Sequence, residues 1–228
     1  MDKREILNLL YVKKNYEQAE KLCKKQYAAE YQEILANVLY LQNKFTEAAE
    51  IYHNLEKCGE EGYCYFYAGN KSAADKIWFT ADEDISPLIK WAKAFSGYVE
   101  RKRNRVPTFF QIRNFYENDL DMLLSNGFDD FAENLTDSIQ FFEDINPEIY
   151  KFTARVLYNH KYHDFADKFF SAARKYGNED CELYYLEAKN NIAQKRYYSA
   201  VKSLEKSLSI SKNYYPAKML YENVKKYC

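Results

Sequence analysis

Three alanines set the strongest constraint on what this chain can fold into. Ala132, Ala166 and Ala200 stand 34 residues apart in similar settings: GFDDFAENLTDSI, YHDFADKFFSAAR and RYYSAVKSLEKSL. Other positions keep the interval. Tyr116, Tyr150 and Tyr184 are expected to begin the first helix of each unit and Leu120, Ala154 and Ala188 to sit mid-helix, with Gly127, Lys161 and Lys195 in the turn inside each unit. Two antiparallel helices of about four turns each, with short turns, use about 34 residues, and each pair leaves an apolar face that only the next pair buries. A small residue is needed where paired helices approach closely, hence alanine. Phe169, Phe170 and Leu204 would fill the gaps beside it.

Composition agrees with helices. Gly and Pro number only 6 and 4, too few for the many turns of a sandwich or barrel. The chain is 47% hydrophobic and 29% charged, with a net charge of -1, which excludes a strongly basic nucleic-acid binder and a strongly acidic one. The 23 tyrosines are discounted as a functional signal. The N-terminal segment mixes charge among its apolar residues and does not read as a signal peptide, and no stretch reaches the length of a membrane span. Cys23, Cys58, Cys64, Cys181 and Cys228 are dispersed and read as reduced thiols, so a cytoplasmic location is expected.

Nearer the N-terminus the pattern is compressed. NYEQAEKLC places Tyr16, Ala19 and Cys23 as NKFTEAAEIYHNL places Phe45, Ala48 and Tyr52, and GYCYFYAGNKSAADKIWFTA puts Gly69 at a turn with Ala74 following. Ser86 and Pro87 then predict an N-cap and first helical position. The helix they open carries Leu88, Trp91, Ala92, Phe95 and Val99 on one face and ends in the basic run Arg101, Lys102, Arg103, Arg105. Pro107 starts another long helix, and Asn146-Pro147 marks a break between units. The expected organisation is degenerate helix pairs over 1–80, an inserted helix and basic turn over 81–106, three regular repeats over 107–212 and a capping helix over 213–228.

These residues and spacings resemble the tetratricopeptide repeat family. The resemblance implies an all-α, right-handed superhelix of antiparallel helix pairs with an irregular helical insert near the middle. It also implies that the first helix of each pair lines a concave groove that takes a protein or peptide. By position the groove residues would be Arg4, Asn8 and Tyr11, then Glu33, Asn37 and Tyr40. In the later units they would be Glu148, Lys151, Arg155, Tyr158 and Asn159, then Glu182, Tyr185, Lys189 and Ile192. Tyrosine there offers apolar area with a hydroxyl, and the cations would attract carboxylates. Some family members hold chaperone C-termini in a clamp of Lys, Asn and Arg. Arg4 and Asn8 match its first part, but Ile34 stands where an asparagine is needed, so no such binding is expected.

Catalytic signatures are missing from the sequence. There is no phosphate-binding glycine loop and no nucleophile elbow. His160, His163 and Asp164, and His53 with Cys58 and Cys64, have loose metal-ligand spacings and read as turn residues. The triplets Asp82-Glu83-Asp84 and Asp119-Leu120-Asp121 read as a helix-flanking acidic patch and as part of a helix. The expectation is therefore a non-catalytic scaffold or adaptor without cofactor or metal, binding a protein or peptide and neither nucleic acid nor membrane. PTFFQIRNFYENDLDMLLSNG also looks like helical tails attached to some bacterial family-2 glycosyltransferases, which implies, as an alternative, an accessory role in protein glycosylation. A peptide-sensing regulator is the third reading.

Overall fold

The computed structural model describes residues 3–26, 28–84, 86–102, 106–176 and 179–227, and among these every regular element is helical. The chain divides into two compact units, 1–97 and 98–228. No helix among the described residues is long and apolar enough to cross a membrane.

The first unit holds α1 (Lys3–Tyr11), α2 (Tyr16–Cys23), α3 (Ala29–Leu41), α4 (Phe45–Asn54), α5 (Cys58–Tyr67) and α6 (Lys71–Thr80), each packed on the next, and the greater part of α7 (Pro87–Val99). The second holds α8 (Phe109–Asn114), a π-turn (Phe115–Asp119) continuing into α9 (Leu120–Ser125), then α10 (Asp129–Asp137), α11 (Ile149–Asn159), α12 (His163–Lys175), α13 (Cys181–Ala193), α14 (Tyr197–Ile210) and α15 (Tyr215–Val224). As the sequence predicts, Ser86 Oγ accepts from Leu88 N at the start of α7.

One local device recurs in every pair. Lys14, Asn43, Gly69, Gly127, Lys161 and Lys195 all have positive φ, and each lies five residues before Ala19, Ala48, Ala74, Ala132, Ala166 or Ala200. In five of these turns the residue after the positive-φ position donates back five residues: Lys44 N to Leu39 O, Asn70 N to Tyr65 O, Phe128 N to Leu123 O, Tyr162 N to Leu157 O and Arg196 N to Asn191 O, at 2.8–2.9 Å. This Schellman closure satisfies the end of the first helix and turns the chain. The donor residue then caps the second helix, its carbonyl accepting from the alanine N–H. All six alanines are buried, five of them with no exposed surface and Ala132 at 4%. Each occupies the first full turn of the second helix, where a larger side chain would force the pair apart.

A second device joins successive pairs. The residue after the alanine is acidic in several pairs, and it reaches the residues flanking the next pair's turn. Glu20 accepts from Gln42 at 2.9 Å and Lys44 at 2.8 Å, on either side of Asn43. Asp167 accepts from Gln194 at 3.1 Å and Arg196 at 2.7 Å, on either side of Lys195. The lysines donating to Glu20, Lys24 first and then Lys44, hold its carboxyl down at about 2. Asp75, at the same position after Ala74, instead accepts from Ser96 of α7 at 2.7 Å and from Lys71.

Tyr116 departs from its expected place. Tyr150 and Tyr184 lie in the first turn of α11 and α13, but α8 begins at Phe109 behind a Thr108–Gln111 capping box, which leaves Tyr116 inside the π-turn. There its hydroxyl donates to Leu135 O at 3.0 Å and meets Ser138, tying the π-turn to the end of α10.

In the first unit Trp78 is fully buried, with its indole N–H donating to Gly59 O at 3.1 Å. A Cβ added at Gly62 would fall 2.0 Å from Trp78 Nε1, so α5 and α6 meet at this distance only because residue 62 is glycine. Gly62→Ala is expected to destabilise the first unit by about 1–3 kcal/mol through overpacking. The urea midpoint of the variant against that of the parent decides this; an unchanged midpoint would show that Trp78 moves aside freely.

Candidate functional site

The expected groove residues of the first unit divide into two kinds. Arg4, Asn8 and Tyr11 lie exposed on α1, Tyr11 at 63%. Those of α3 are used internally. Asn37 accepts from the buried Tyr52 hydroxyl at 2.8 Å, Glu33 pairs with Lys57 at 2.7 Å, and Tyr40 packs edge-on against Phe45 and Tyr67.

In the second unit the same positions form one connected face on the first helices. Lys151 of α11 is 5% exposed and lies among Asp180 at 2.5 Å, Glu148 at 3.2 Å and Glu182 at 3.3 Å. Burial pulls its ammonium pKa down, but the Asp180 and Glu148 carboxylates more than offset that, so the group stays charged. Arg155 pairs with Glu117 of the π-turn and with Glu182, and Glu117 also accepts from Arg113 at 2.6 Å. Both guanidinium groups stand over the Phe152 ring. Lys151 and Arg155, both expected in the groove, are thus each held by carboxylates of this chain.

Lys189 of α13 differs. Its ammonium lies 5.0 Å from the Tyr158 ring centroid and 5.7 Å from that of Tyr185, between two neighbouring first helices. It has no carboxylate partner among the described residues. Tyr158 and Tyr185 are half-buried, and Tyr185 meets Tyr214 edge-on at 5.7 Å. Asn159 is exposed at the end of α11. Ile192 packs instead into the core of the last pair, beside Ala188, Ala200 and Leu204.

No protein-family model matches this chain, and no curated protein is similar enough to it to count as a relative.

The loosely spaced metal-type residues are used singly. His160 meets Asp121 at 2.8 Å, His163 meets Asn190 at 2.8 Å and His53 meets Glu61 at 3.1 Å. Among the described residues no three His, Cys, Asp or Glu side chains converge as a metal site would need. Burial pushes the Cys23 thiol up to about 11 and the Cys64 thiol up to about 12, so neither is poised as a nucleophile. Of the basic run, Arg101 pairs with Asp137 and Lys102 with Glu100, while Arg103 and Arg105 lie outside the described residues. Asp82, Glu83 and Asp84 stand before α7, where Lys93 reaches Glu83 and Lys90 reaches Asp84.

Three participants escaped the sequence reading: Arg113, Glu117 and Asp180. Arg113 and Glu117 carry the i, i+4 spacing of a helical ion pair. Asp180 directly precedes a helix and caps it, accepting from Leu183 N at 2.7 Å, and that N-cap signature was its available signal.

The π-turn that supplies Glu117 also buries Asp119. The Asn114 amide donates to Asp119 at 3.0 Å, yet burial pushes the carboxyl up to about 8. A folded pKa raised above the unfolded value means that this group's contribution to stability is present below about pH 4 and is lost as pH rises through about 8. Asp119→Asn is therefore expected to stabilise the second unit at pH 8 and to do so progressively less as pH falls toward 4. Thermal melts across that range test it; an advantage that does not change with pH would mean that Asp119 ionises normally.

Proposed function

We propose that each unit is a stretch of tetratricopeptide-like, right-handed α-α superhelix, and that the chain is a non-catalytic scaffold that takes a segment of another protein on its first-helix face. The recurring turn, alanine and acidic clamp support the superhelix, because they are the close approach within a pair and the stacking between pairs that such an array requires. The placement of Lys189 carries the binding proposal. A half-buried cation between two tyrosine rings, without a carboxylate partner among the described residues, suits a partner carboxylate flanked by apolar side chains. Elsewhere on this face Arg113, Lys151 and Arg155 stand against Glu117, Glu148, Asp180 and Glu182. That balance favours a protein segment over nucleic acid, whose phosphates need a broad field of free cations.

A photo-reactive residue at the exposed Asn159 is expected to form protein adducts in lysate of the source organism, and the same residue at Ser199 on α14 is not. Lys189→Ala and Tyr185→Ala should each reduce the adducts by about tenfold, as anchor residues do. Equal labelling from the two positions, or labelling insensitive to both alanine variants, would remove this face from consideration.

A further inference from the structure

Within the second unit the clamp that joins successive pairs forms at Asp167 but is open at the junction before it. Glu133 follows Ala132 as Glu20 follows Ala19 and Asp167 follows Ala166, so its counterparts would be His160 and Tyr162, on either side of Lys161. Neither contact forms. His160 turns to Asp121 and the Tyr162 hydroxyl donates to Asp129 at 3.3 Å, leaving Glu133 exposed and without an ion pair among the described residues. The connection here is also long for the second unit, running from Ser138 through a 3-10 turn (Ile139–Phe141) to Ile149.

A groove opens in consequence between α10 and α12, with a volume of about 350 Å³. Leu120, Leu124 and Leu157 form its floor, and Phe165, 54% exposed, forms a wall. Asp129, Asp130 and Glu133 stand on its rim, all three exposed. The repeat itself supplies an internal comparison for the aromatics. Phe128 and Phe131 in one pair and Tyr162 and Phe165 in the next occupy the cap and third positions of the second helix. The other pairs place Asn15 and Gln18, Lys44 and Glu47, Asn70 and Ala73, and Arg196 and Ser199 there. The fold does not need aromatic side chains at these positions, and they occur only on the two pairs that border the groove.

We propose that this groove is a second docking site, separate from the first-helix face, and that its occupant is a cationic, apolar segment of another protein. An aliphatic or aromatic side chain enters against Leu124 and the exposed Tyr162 and Phe165, and flanking Lys or Arg residues meet Asp130 and Glu133. Charge complementarity sets this choice. An acidic or phosphorylated segment meets repulsion from three carboxylates, and Lys168 stands over the Phe165 ring at 4.8 Å. Apolar area supplies the affinity and the rim supplies the selectivity.

Selection of random linear peptides displayed on phage, with the full chain as bait, tests the proposal. Peptides with an apolar anchor between Lys or Arg residues are expected, weakened about tenfold or more by the double variant Asp130→Lys/Glu133→Lys and by Phe165→Ser. They should bind the Lys189→Ala chain unchanged, which separates this site from the first-helix face. All these positions except Lys189 are exposed, and circular dichroism confirms that each variant stays folded. The proposal is overturned if no peptide is enriched, if enriched peptides are acidic, or if they bind the double variant as well as the parent. It is also overturned if the chain self-associates at micromolar concentration and Phe165→Ser abolishes that, since a second copy would then be the occupant.

Discussion

The architecture depends on a turn in which one residue of each helix pair takes positive φ. A first helix that ends this way presents its last carbonyls to the next two N–H groups and reverses direction within three residues. The second helix must then start at once, and its first full turn lies against the first helix, where only alanine fits. Turn and alanine are thus one constraint at two positions a fixed five residues apart, which is why they recur together at every pair while the surrounding residues vary. Lysine holds the strained position in the pairs closing at Lys14, Lys161 and Lys195, so the positive φ is imposed by the closure rather than chosen by the residue.

That constraint was legible in the sequence because it acts on residues close together in the chain. The interval linking Ala132, Ala166 and Ala200, the turns at Gly127, Lys161 and Lys195, and the Ser86–Pro87 helix start all follow from local chemistry. What was not legible lies in contacts between helices far apart in sequence and in a shifted helix start. Lys151 looked like a groove cation, since nothing near it in sequence shows that Asp180 and Glu182, about 30 residues on, fold over it. Asn37 looked like a ligand contact, but it is spent on the hydroxyl of Tyr52 in the second helix of its own pair. Tyr116 kept the interval of Tyr150 and Tyr184 but not their place, because the helix before it begins seven residues earlier and takes up the difference in a π-turn.

The pairing of Lys151 and Arg155 has a physical reason beyond geometry. Lys151 is nearly sealed from water, and a buried ammonium is tolerated only where carboxylates and hydrogen bonds replace its hydration. Glu148, Asp180 and Glu182 come from α11's own start and from the start of α13, so the ion cluster also fixes one first helix against the next. A charge used in this way gives little to a ligand. Lys189 sits one helical turn beyond Tyr185, where aromatic rings rather than carboxylates surround it, and aromatic rings hold a cation without neutralising it.

The irregularities of the second unit are gathered in a single pair. The π-turn lies in its first helix, the long connection follows its second, and its acidic residue, Glu133, is the one that does not reach the next turn. These features are coupled. In a π-turn the chain closes on a bond five residues back, as Leu120 N does on Phe115 O, so residues after it are rotated relative to those before. Tyr116 at that turn anchors the end of α10 through Leu135 and Ser138, which sets where α10 stops and obliges the chain to travel from Ser138 to Ile149 before the next helix begins. With α10 held to its own first helix, Glu133 does not meet His160 or Tyr162, and a groove stands open over Leu124 with Phe165 at its side. The groove is therefore a consequence of how Tyr116 and the π-turn position α10, and not of a weak helix or a missing apolar residue, since Leu120 and Leu135 are fully buried and Ala132 nearly so.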